Sequence, residues 1–511
     1  MPLSSAADAE PAPAKRGPPV PHGARDLTTG PIGWTLITYS LPVLGTNVLQ
    51  SLNGSANAFW VSHSLGPEAL AATSNANLVM FLLLGAGFGL SMAANILISQ
   101  AAGAKDYDLV KRIVGTSAIF YLVLSTAIAV AGFFGTSTIL DWVQAPPDVR
   151  EPAIAYLQVV FLAIPAMYFI NVLMMAQRGI GDSRTPFWFS VFAIGLDIGL
   201  NPVLILGLGP APQMGIAGSS TAMLISQVAA LIAMVAWLYF KRSILVLRPE
   251  ERGLLKPDLS VVRTLVVKGV PMALQMFVLS GAALVMMGFV NHYGSDTAAA
   301  YGAASQIWAY VQMPAMAVGA SVSSMAGQYV GAGKMDRLNR VALVGVGVAV
   351  GMTLITVASG YIFARPILSI FLPAGSEALD IAVHLNKPIL WGFVLFSATF
   401  AMTGIVRATG AVTPPLIILA FSLWGVRAPF AWLLQPHIGA DAIWWSFPAG
   451  SVVSLVLGGL YWRFGNWRNQ RLLDTIPPGV APDAGMGTPA VADEDPLPAA
   501  TAPSARHRPA S

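Results

Sequence analysis

An aspartate stands in the middle of an apolar segment, in the run Asp197-Ile198-Gly199-Leu200-Asn201-Pro202. A carboxylate at this depth of a membrane helix costs about 2.5–3.5 kcal/mol, which indicates a functional group or contact with water. Asn201 follows four residues later and therefore lies on the same helix face as Asp197. Pro202 cannot donate a backbone hydrogen bond, so the carbonyl of Ile198 is left without its usual partner. One helical turn thus offers a carboxylate, an amide oxygen and a carbonyl, a set that can bind a proton or a cation.

Two other helices are predicted to supply further oxygen ligands. Asn57 of the first helix can complete the set, and the hydroxyls of Ser219, Ser220 and Thr221 are weaker candidates. Protonation would change the local charge by one unit and could bias a bent helix between two packings. A single carboxylate favours a proton, and sodium stays open as the alternative. The other interpretation of Asp197 is structural, as a carboxylate that pairs with a helix neighbour or with Arg427.

The second half of the sequence carries methionine and glutamine residues that favour a soft, apolar binding cavity. Methionine adapts to varied ligand shapes, as a site for many different compounds requires. The predicted cavity residues are Gln275, Met286, Met287, Gln306, Met313 and Arg427, with Met272, Met276, Gln312, Met316 and Met325 in the same helices. The alternative for each methionine is ordinary packing or contact with lipid.

The elements that must position these residues are membrane-spanning helices. Of the 511 residues, 55% are hydrophobic and only 10% are charged, whereas a soluble domain carries roughly 25% charged residues. Apolar runs long enough to cross a bilayer predict twelve helices near 35–61, 70–98, 113–135, 153–177, 186–207, 216–240, 264–290, 298–326, 341–364, 378–405, 414–435 and 443–463. The chain has no cysteine, which excludes disulfides, thiolate nucleophiles and cysteine metal sites. It also has no phosphate-binding loop of the Gly-x-x-x-x-Gly-Lys-Ser/Thr type, so ATP drive within this chain is not expected.

Basic residues are distributed unevenly between the predicted loops. All of the 28 lysines and arginines fall in the tails and the even-numbered loops, except Arg150, Arg365, Lys387 and Arg427. The positive-inside rule therefore places both termini in the cytoplasm and predicts a multi-pass protein of the cell inner membrane. Residues 1–30 and 466–511 are rich in proline and alanine and are predicted to be disordered cytoplasmic tails.

The sequence contains an internal repeat with an offset of 228 residues (99 to 327) or 229 residues (178 to 407). At an offset of 228, Ser99 to Ala104 resembles Gly327 to Ala332, and an offset of 229 relates Arg178 to Arg407, Gly181 to Gly410, Pro42 to Pro271 and His63 to His292. The repeat predicts an all-α protein of two six-helix lobes, 31–240 and 263–465, joined by a cytoplasmic linker at 241–262. In such an arrangement the substrate site lies between the halves. Arg178 and Arg407 are interpreted as structural residues at the cytoplasmic ends of their helices.

The repeat also compares the two lobes at the candidate site. At an offset of 229, Asn57 corresponds to Met286, Asp197 to Val426 and Asn201 to Phe430. The first lobe is polar where the second is apolar. This difference favours a functional role for Asp197 over an architectural one, because an architectural residue would more often be kept in both halves.

Across residues 31–468 the sequence resembles the multidrug and toxic compound extrusion (MATE) family. The stretches that carry the resemblance are Leu41-Pro42 with Asn57 to Val61 and Leu65 to Ala72, Gln100 to Ala104 with Gly327 to Gly333, Gly181 to Pro186 with Asp197 to Pro202, and Trp424 to Pro429. The resemblance implies a V-shaped bundle of two lobes and export driven by a proton or sodium gradient. Members usually carry an aspartate at the position of Asn57, and many have Asn-x-x-x-Asp-Pro where this sequence has Asp197-x-x-x-Asn201-Pro202. The acid is thus moved back by one turn.

The function expected from these observations is secondary antiport. The chain is predicted to export amphipathic or cationic organic compounds, drugs or metabolites, in exchange for H⁺ or Na⁺ by alternating access. One alternative is a flippase for lipid-linked saccharides, which would show several basic residues in its cavity. The other is an integral membrane transferase. No cofactor besides the coupling ion, no nucleic acid and no obligate protein partner is expected, and the chain is predicted to work as a monomer in the lipid bilayer.

Overall fold

The computed structural model of the chain is an α-helical bundle, and it describes residues 23–65, 67–142, 147–209, 211–246, 257–373 and 375–476. The helices are α1 Ile32–Leu65, α2 Pro67–Gly103, α3 Tyr107–Trp142, α4 Pro147–Gly179, α5 Arg184–Leu206, α6 Ile216–Phe240, α7 Leu259–Asn291, α8 Ser295–Gly331, α9 Leu338–Ile362, α10 Ala364–Leu368, α11 Glu377–Thr409, α12 Thr413–Ala420, α13 Ala428–Ile438 and α14 Asp441–Phe464. A π-helical turn, Phe421–Arg427, joins α12 and α13 into one span, and α10 is a short surface helix.

The described residues therefore contain twelve long helices, as the apolar runs predict. Within the described ranges, eleven are long and apolar enough to cross a membrane by length and composition. The remaining long helix is α8, which has 37 residues, most of them buried. Its buried serine, glutamine and glycine residues, which include Ser321, Ser324 and Gln328, lower its overall hydrophobicity.

The helices pack as two groups of six, which confirms the predicted two-lobed architecture. In the first group α4 packs against α2, α3 and α6, and α5 joins α1 to α6. In the second, α11 is central and packs against α8, α9 and α14. The two groups meet through α1 and α2 on one side and α7 and α8 on the other. Cavities between the lobes must therefore be lined by these four helices and by the central helices behind them.

Local sequence signals fix several helix ends. The side chain of Asp258 caps α7 by accepting a hydrogen bond from the backbone nitrogen of Ser260. The side chain of Ser376 caps α11 by accepting one from the backbone nitrogen of Leu379. Gly207 and Gly410 end α5 and α11 in the left-handed conformation, which glycine adopts without steric cost. Helix α7 therefore begins five residues before the predicted start at 264 and contains both Arg263 and Lys268.

One end of the bundle is closed by a close contact between the lobes, here called the seam. The ends of α2, α4, α8 and α11 meet there, and we call this the basic end. Gln100 Nε2 donates to the carbonyl of Ala408 at 2.6 Å, and Gln328 Nε2 donates to the carbonyl of Gly179 at 3.1 Å. Gly103 and Gly331 let the two helix backbones approach, because a Cβ on either would overlap the backbone of the opposing glutamine.

The inner ends of both predicted tails are ordered against this seam. Leu27 is 1% exposed, and its backbone nitrogen donates to Gln328 Oε1 at 2.8 Å. Trp467 and Leu472 are buried after α14, and the backbone nitrogen of Leu473 donates to Gln100 Oε1 at 3.2 Å. Residues 23–30 and 466–476 thus differ from the predicted disorder, since a few apolar anchors dock segments of otherwise polar sequence. The rest of the predicted tails, 1–22 and 477–511, and linker residues 247–256 lie outside the described residues.

Candidate functional site

A buried polar cluster in the first lobe is centred on Asp197 of α5, which is 6% exposed. Its Oδ2 accepts a hydrogen bond from Asn53 Nδ2 of α1 at 2.9 Å. Its Oδ1 lies 3.3 Å from Asn201 Nδ2, which also donates to the Asp197 backbone carbonyl at 3.1 Å. Asp197 and Asn201 share a helix face, as their spacing predicts. Both carboxylate oxygens thus face amide groups, and none of the ion pairs in the described ranges involves this carboxylate.

Asn57 stands beside this cluster, one turn further along α1. Its Oδ1 accepts a hydrogen bond from Ser219 of α6 at 2.5 Å, and its side chain lies close to the buried Tyr156 of α4. The other two predicted hydroxyls behave differently: Ser220 and Thr221 donate to the carbonyl of Ala217 in their own helix. Their oxygens can still accept, but they are held against α6.

Two amide oxygens in the cluster have no hydrogen-bond donor within the described residues. Asn53 Oδ1 and Asn201 Oδ1 are both buried and unpaired. A buried acceptor without a donor costs about 1–3 kcal/mol, so such groups are rarely left without a reason. Next to a carboxylate, these oxygens can accept from a protonated acid or coordinate a cation. The arrangement is therefore chemically suited to taking up one positive charge.

A cavity of about 280 Å³ lies between the two lobes. Its wall is formed by Val43, Asn47, Gln50, Leu84, Gly85, Phe88, Met92, Arg178, Met272, Gln275, Met276, Met316, Ala320, Phe400 and Arg407. The wall is mostly apolar with a few polar groups, which is the usual composition of a small-molecule site.

Helix α1 connects this cavity to the Asp197 cluster. Asn47 and Gln50 line the cavity, and Asn53 and Asn57 belong to the cluster. At about 100° per residue these four side chains fall within one sector of the helix. A change of charge at Asp197 therefore acts on the same helix face that contacts the cavity.

The repeat-related Arg178 and Arg407 lie in the cavity wall, near the ends of α4 and α11. Arg178 is 8% exposed and Arg407 is 4% exposed. Arg407 Nη1 donates to Gln275 Oε1 at 3.2 Å, and its guanidinium lies 4.9 Å from the ring centre of Phe400. The interpretation of these arginines as cytoplasmic-end structural residues misses their position in the cavity.

A family model decides which class of protein carries this site. The MatE model matches residues 42–203 and again residues 271–433, one copy in each lobe. The chain belongs to the MATE family. MATE proteins are transporters rather than enzymes, so the transferase alternative is wrong, and this MATE chain is a multi-pass membrane protein.

Curated relatives agree with this assignment. The chain is 35% identical over 442 residues to the Bacillus subtilis protein named "Probable multidrug resistance protein YoeA", covering 86% of this chain and 95% of the relative. It is 25% identical over 449 residues to "Probable multidrug resistance protein NorM" of Thermotoga maritima, covering 86% and 94%. The fold is similar to a solved outward-facing multidrug resistance MATE family transporter of the MOP superfamily, with a TM-score of 0.79, 23% identity and coverage of 86% and 96%.

Of the predicted cavity residues in this MATE chain, Gln275 lies in the cavity wall. Met286 belongs to a buried cluster around Trp444 in the second lobe, and Met313 is also buried. Met287 is half-buried and Gln306 is exposed. Met272, Met276 and Met316, from the same helices, do line the cavity. Substrate contact by the six residues stays a prediction.

Arg427 lies apart from Asp197, in the π-helical turn of the second lobe. It lies close to Tyr301, and its guanidinium lies 4.9 Å from the ring centre of Phe447. Asp197 contacts Asn53 and Asn201 instead, so the structural interpretation in which Asp197 pairs with Arg427 has no support in the geometry.

Sequence reasoning missed Asn53 and Tyr156 in this MATE cluster. Asn53 precedes Asn57 by four residues and continues the spacing of Asn47 and Gln50, which is a signal that a polar stripe along α1 could have given. Tyr156 carries no comparable signal, because a tyrosine in an apolar span is ordinary packing until its partner is known.

Proposed function

We propose that this MATE chain is a proton-coupled antiporter of the cell inner membrane that exports amphipathic organic compounds by alternating access. The observation that carries the proposal is a buried carboxylate on α5 beside two unpaired amide oxygens, one of which belongs to Asn53 on the face of α1 that continues into the cavity wall. Loading a proton there changes the charge beside α1 and can favour one arrangement of the lobes over the other. The methionine- and phenylalanine-containing wall supports an amphipathic substrate.

A proton accounts for the donor set better than sodium. Asn57 Oδ1 already accepts from Ser219, which leaves the carboxylate, Asn53 Oδ1 and Asn201 Oδ1 as ready acceptors. A metal cation held by oxygens normally needs a larger set of ligands. We therefore assign Asp197 as the proton carrier, with Asn53, Asn57 and Asn201 as its positioning residues.

The orientation follows from charge. The basic end carries Lys105, Arg112, Lys334 and Arg337 among its neighbouring loops and helix starts. The positive-inside rule supports a cytoplasmic position for this end and for both termini. One chain supplies both walls of the cavity, which supports a monomer as the working unit.

The test uses purified protein in liposomes and two fluorescent probes of equal ring size, naphthalenesulfonate and naphthylmethyl-trimethylammonium. Efflux is driven by an imposed proton gradient or by an imposed sodium gradient, each alone. Asp197→Asn keeps the shape of the side chain but cannot release a proton, so we expect proton-driven efflux to fall at least tenfold. Asp141→Asn neutralises an exposed carboxylate that pairs with Arg150 and is the matched control.

Two results would sink the assignment. Normal proton-driven efflux by Asp197→Asn would remove this carboxylate from the coupling step. Efflux that responds to sodium and not to protons would replace the coupling ion. Probe binding by Asp197→Asn is measured in parallel, because a variant that folds and binds but does not couple separates the two roles.

A flippase for lipid-linked saccharides is the second candidate, and one observation favours it. Such a flippase needs basic residues in its cavity, and Arg178 and Arg407 both line this one. Transfer of a fluorescent polyprenyl-phosphate saccharide between leaflets of proteoliposomes, with no efflux of either naphthalene probe, would favour this candidate over the antiporter.

A further inference from the structure

Two buried arginines, one in each lobe, line the same cavity from equivalent positions of the repeat. Arg178 lies one residue before the end of α4, and Arg407 lies two residues before the end of α11. Both line the central cavity, and both are more than nine-tenths buried. The cavity therefore contains two fixed positive charges, one from each lobe.

The hydrogen-bond capacity of these guanidinium groups is largely unused. Arg407 Nε and Nη2 and Arg178 Nε are buried without an acceptor among the described residues. Within the described ranges, the side chains of this pair donate one hydrogen bond, from Arg407 Nη1 to Gln275 Oε1. Neither arginine forms an ion pair in the part of the chain that the structure describes, and the wall there contains no Asp or Glu. Unpaired buried charges are costly, so a partner from outside the chain is expected.

A purely structural role explains only part of this arrangement. A cation near a helix C-terminus is stabilised by the helix dipole, which accounts for the position of each arginine. Phe400 covers one face of the Arg407 guanidinium, which contributes a cation–π contact. Neither effect supplies an acceptor for the N–H groups at the guanidinium edge. Those groups match the oxygens of a carboxylate, sulfonate or phosphate, which a guanidinium binds through two parallel hydrogen bonds.

The rest of the wall defines the other part of the ligand. Met272, Met276, Met316 and Phe88 supply apolar and polarizable surface, and Asn47 and Gln50 supply polar contacts from α1. We propose that the central cavity binds amphipathic organic anions, with the acidic group held by Arg178 and Arg407 and the apolar body packed on the methionines. This proposal names the substrate class of the exporter proposed above. The transport experiments rest on that proposed function, whereas the binding experiments do not.

The binding test compares three probes that share one ring and differ in fixed charge. Naphthalenesulfonate is anionic, naphthylmethanol is neutral and naphthylmethyl-trimethylammonium is cationic. Binding to the full-length protein in nanodiscs of phosphatidylcholine is followed by calorimetry. We expect the anion to bind at least tenfold more tightly than the cation, with the neutral probe between them. Equal or tighter binding of the cation by the unmodified protein would overturn the proposal without any variant.

Variants then locate the site. Arg178→Gln and Arg407→Gln should each weaken anion binding at least tenfold and leave the neutral probe unchanged, while Arg407→Lys retains part of the affinity. Arg365→Gln is the matched control, because Arg365 is exposed and ion-paired with Asp380. Unchanged anion affinity in both glutamine variants would refute the assignment. Should one of these variants not fold, the charge comparison on the unmodified protein and Arg407→Lys still decide.

The acidic group could belong to a free solute or to a lipid headgroup. Nanodiscs that contain phosphatidylglycerol distinguish the two sources. If this lipid competes with naphthalenesulfonate for the unmodified protein, and the competition is lost in Arg178→Gln, the occupant is a lipid phosphate. Unchanged affinity in phosphatidylglycerol identifies a free anion. Asp197→Asn should still bind naphthalenesulfonate, so a failure of the coupling site and a failure of the anion site give different results.

Discussion

Opening of the seam at the basic end can be forced by one methyl group. Gly331 of α8 packs directly on the backbone of Gln100 in α2, and a Cβ at this position would lie 2.6 Å from the Gln100 carbonyl carbon, with the carbonyl oxygen closer still. Ordinary contact begins at 3.4 Å, so Gly331→Ala must separate α2 and α8 by at least 0.8 Å. No flexible side chain can move aside, because both partners are backbone.

The expected effect is a change in the balance between closed and open forms. Overpacking of this kind costs about 1–3 kcal/mol, and it applies only while the seam is closed. At 1.4 kcal/mol per factor of ten, the population open toward the basic end rises roughly 5- to 150-fold. Gly302→Ala is the matched control, because Gly302 lies in the same helix and a Cβ there meets nothing within 4 Å.

Cysteine labelling measures this change without background, since the chain has no cysteine of its own. Ala320→Cys places one thiol in the cavity wall, and a membrane-impermeant maleimide is applied from the side of the basic end. The labelling rate should rise with Gly331→Ala by the factor given above and stay at its original value with Gly302→Ala. Equal rates in the two backgrounds would refute the view that this contact closes the cavity.

Three further predictions address charge, stability and pH. If the substrate is a monoanion, its exchange for one proton moves two positive charges inward. An inside-negative potential should then add about 4.6 kcal/mol per 100 mV to the driving force for naphthalenesulfonate efflux and accelerate it. Efflux from proteoliposomes whose potential is clamped with valinomycin measures this effect, and efflux independent of voltage would contradict it. Burial opposes ionisation of Asp258, but hydrogen bonds from Ser260 and the Arg112 guanidinium outweigh this effect and lower the pKa of the Asp258 carboxyl. The ionised carboxyl therefore stabilises the folded protein at neutral pH, and this stabilisation is lost as the pH falls through the lowered pKa. Asp258→Asn, which keeps a capping side chain, should therefore lose about 1 kcal/mol at neutral pH and nothing in acid, as thermal unfolding midpoints will show. Trp308→Phe removes the 2.6 Å hydrogen bond to the buried Asn386 and should cost about 1–3 kcal/mol, whereas the same change at the exposed Trp432 should cost almost nothing in the same melting assay.

The number and type of the helices were predictable because lipid imposes a simple rule. Apolar runs of bilayer length must be helical, and the repeat checks each half against the other. The ends were less predictable: α1 runs from Ile32 to Leu65 rather than 35–61, since a helix can continue into water once it has begun. The π-helical turn at Phe421–Arg427 was also missed, because an extra residue in a turn leaves no periodic signal.

The candidate site was predictable where one helix carries it. Asp197 and Asn201 meet because four residues separate them, and that spacing is visible in the sequence. The partnership of Asn53 with Asp197 depends on how α1 lies against α5, which local spacing does not determine. Local spacing does not determine the position of Arg178 and Arg407 either. Each follows an apolar span, where an arginine usually marks the membrane surface, and the cavity beside them is formed only when the lobes pack together.

Gln100 pairs with Ala408 across the seam, and their repeat equivalents, Gln328 and Gly179, pair in the same manner. Such a reciprocal contact has the form of an isologous interface between two identical subunits. Two separate copies of a six-helix ancestor could associate through this same contact. In such a homodimer, every acid placed in one protomer would appear in the other as well. Fusion of the copies removes that constraint, so that Asp197 can be kept on one side while Val426 takes the equivalent place on the other. A buried carboxylate in one lobe only, together with a matched pair of arginines, is an arrangement that a fused pair can keep and a homodimer cannot.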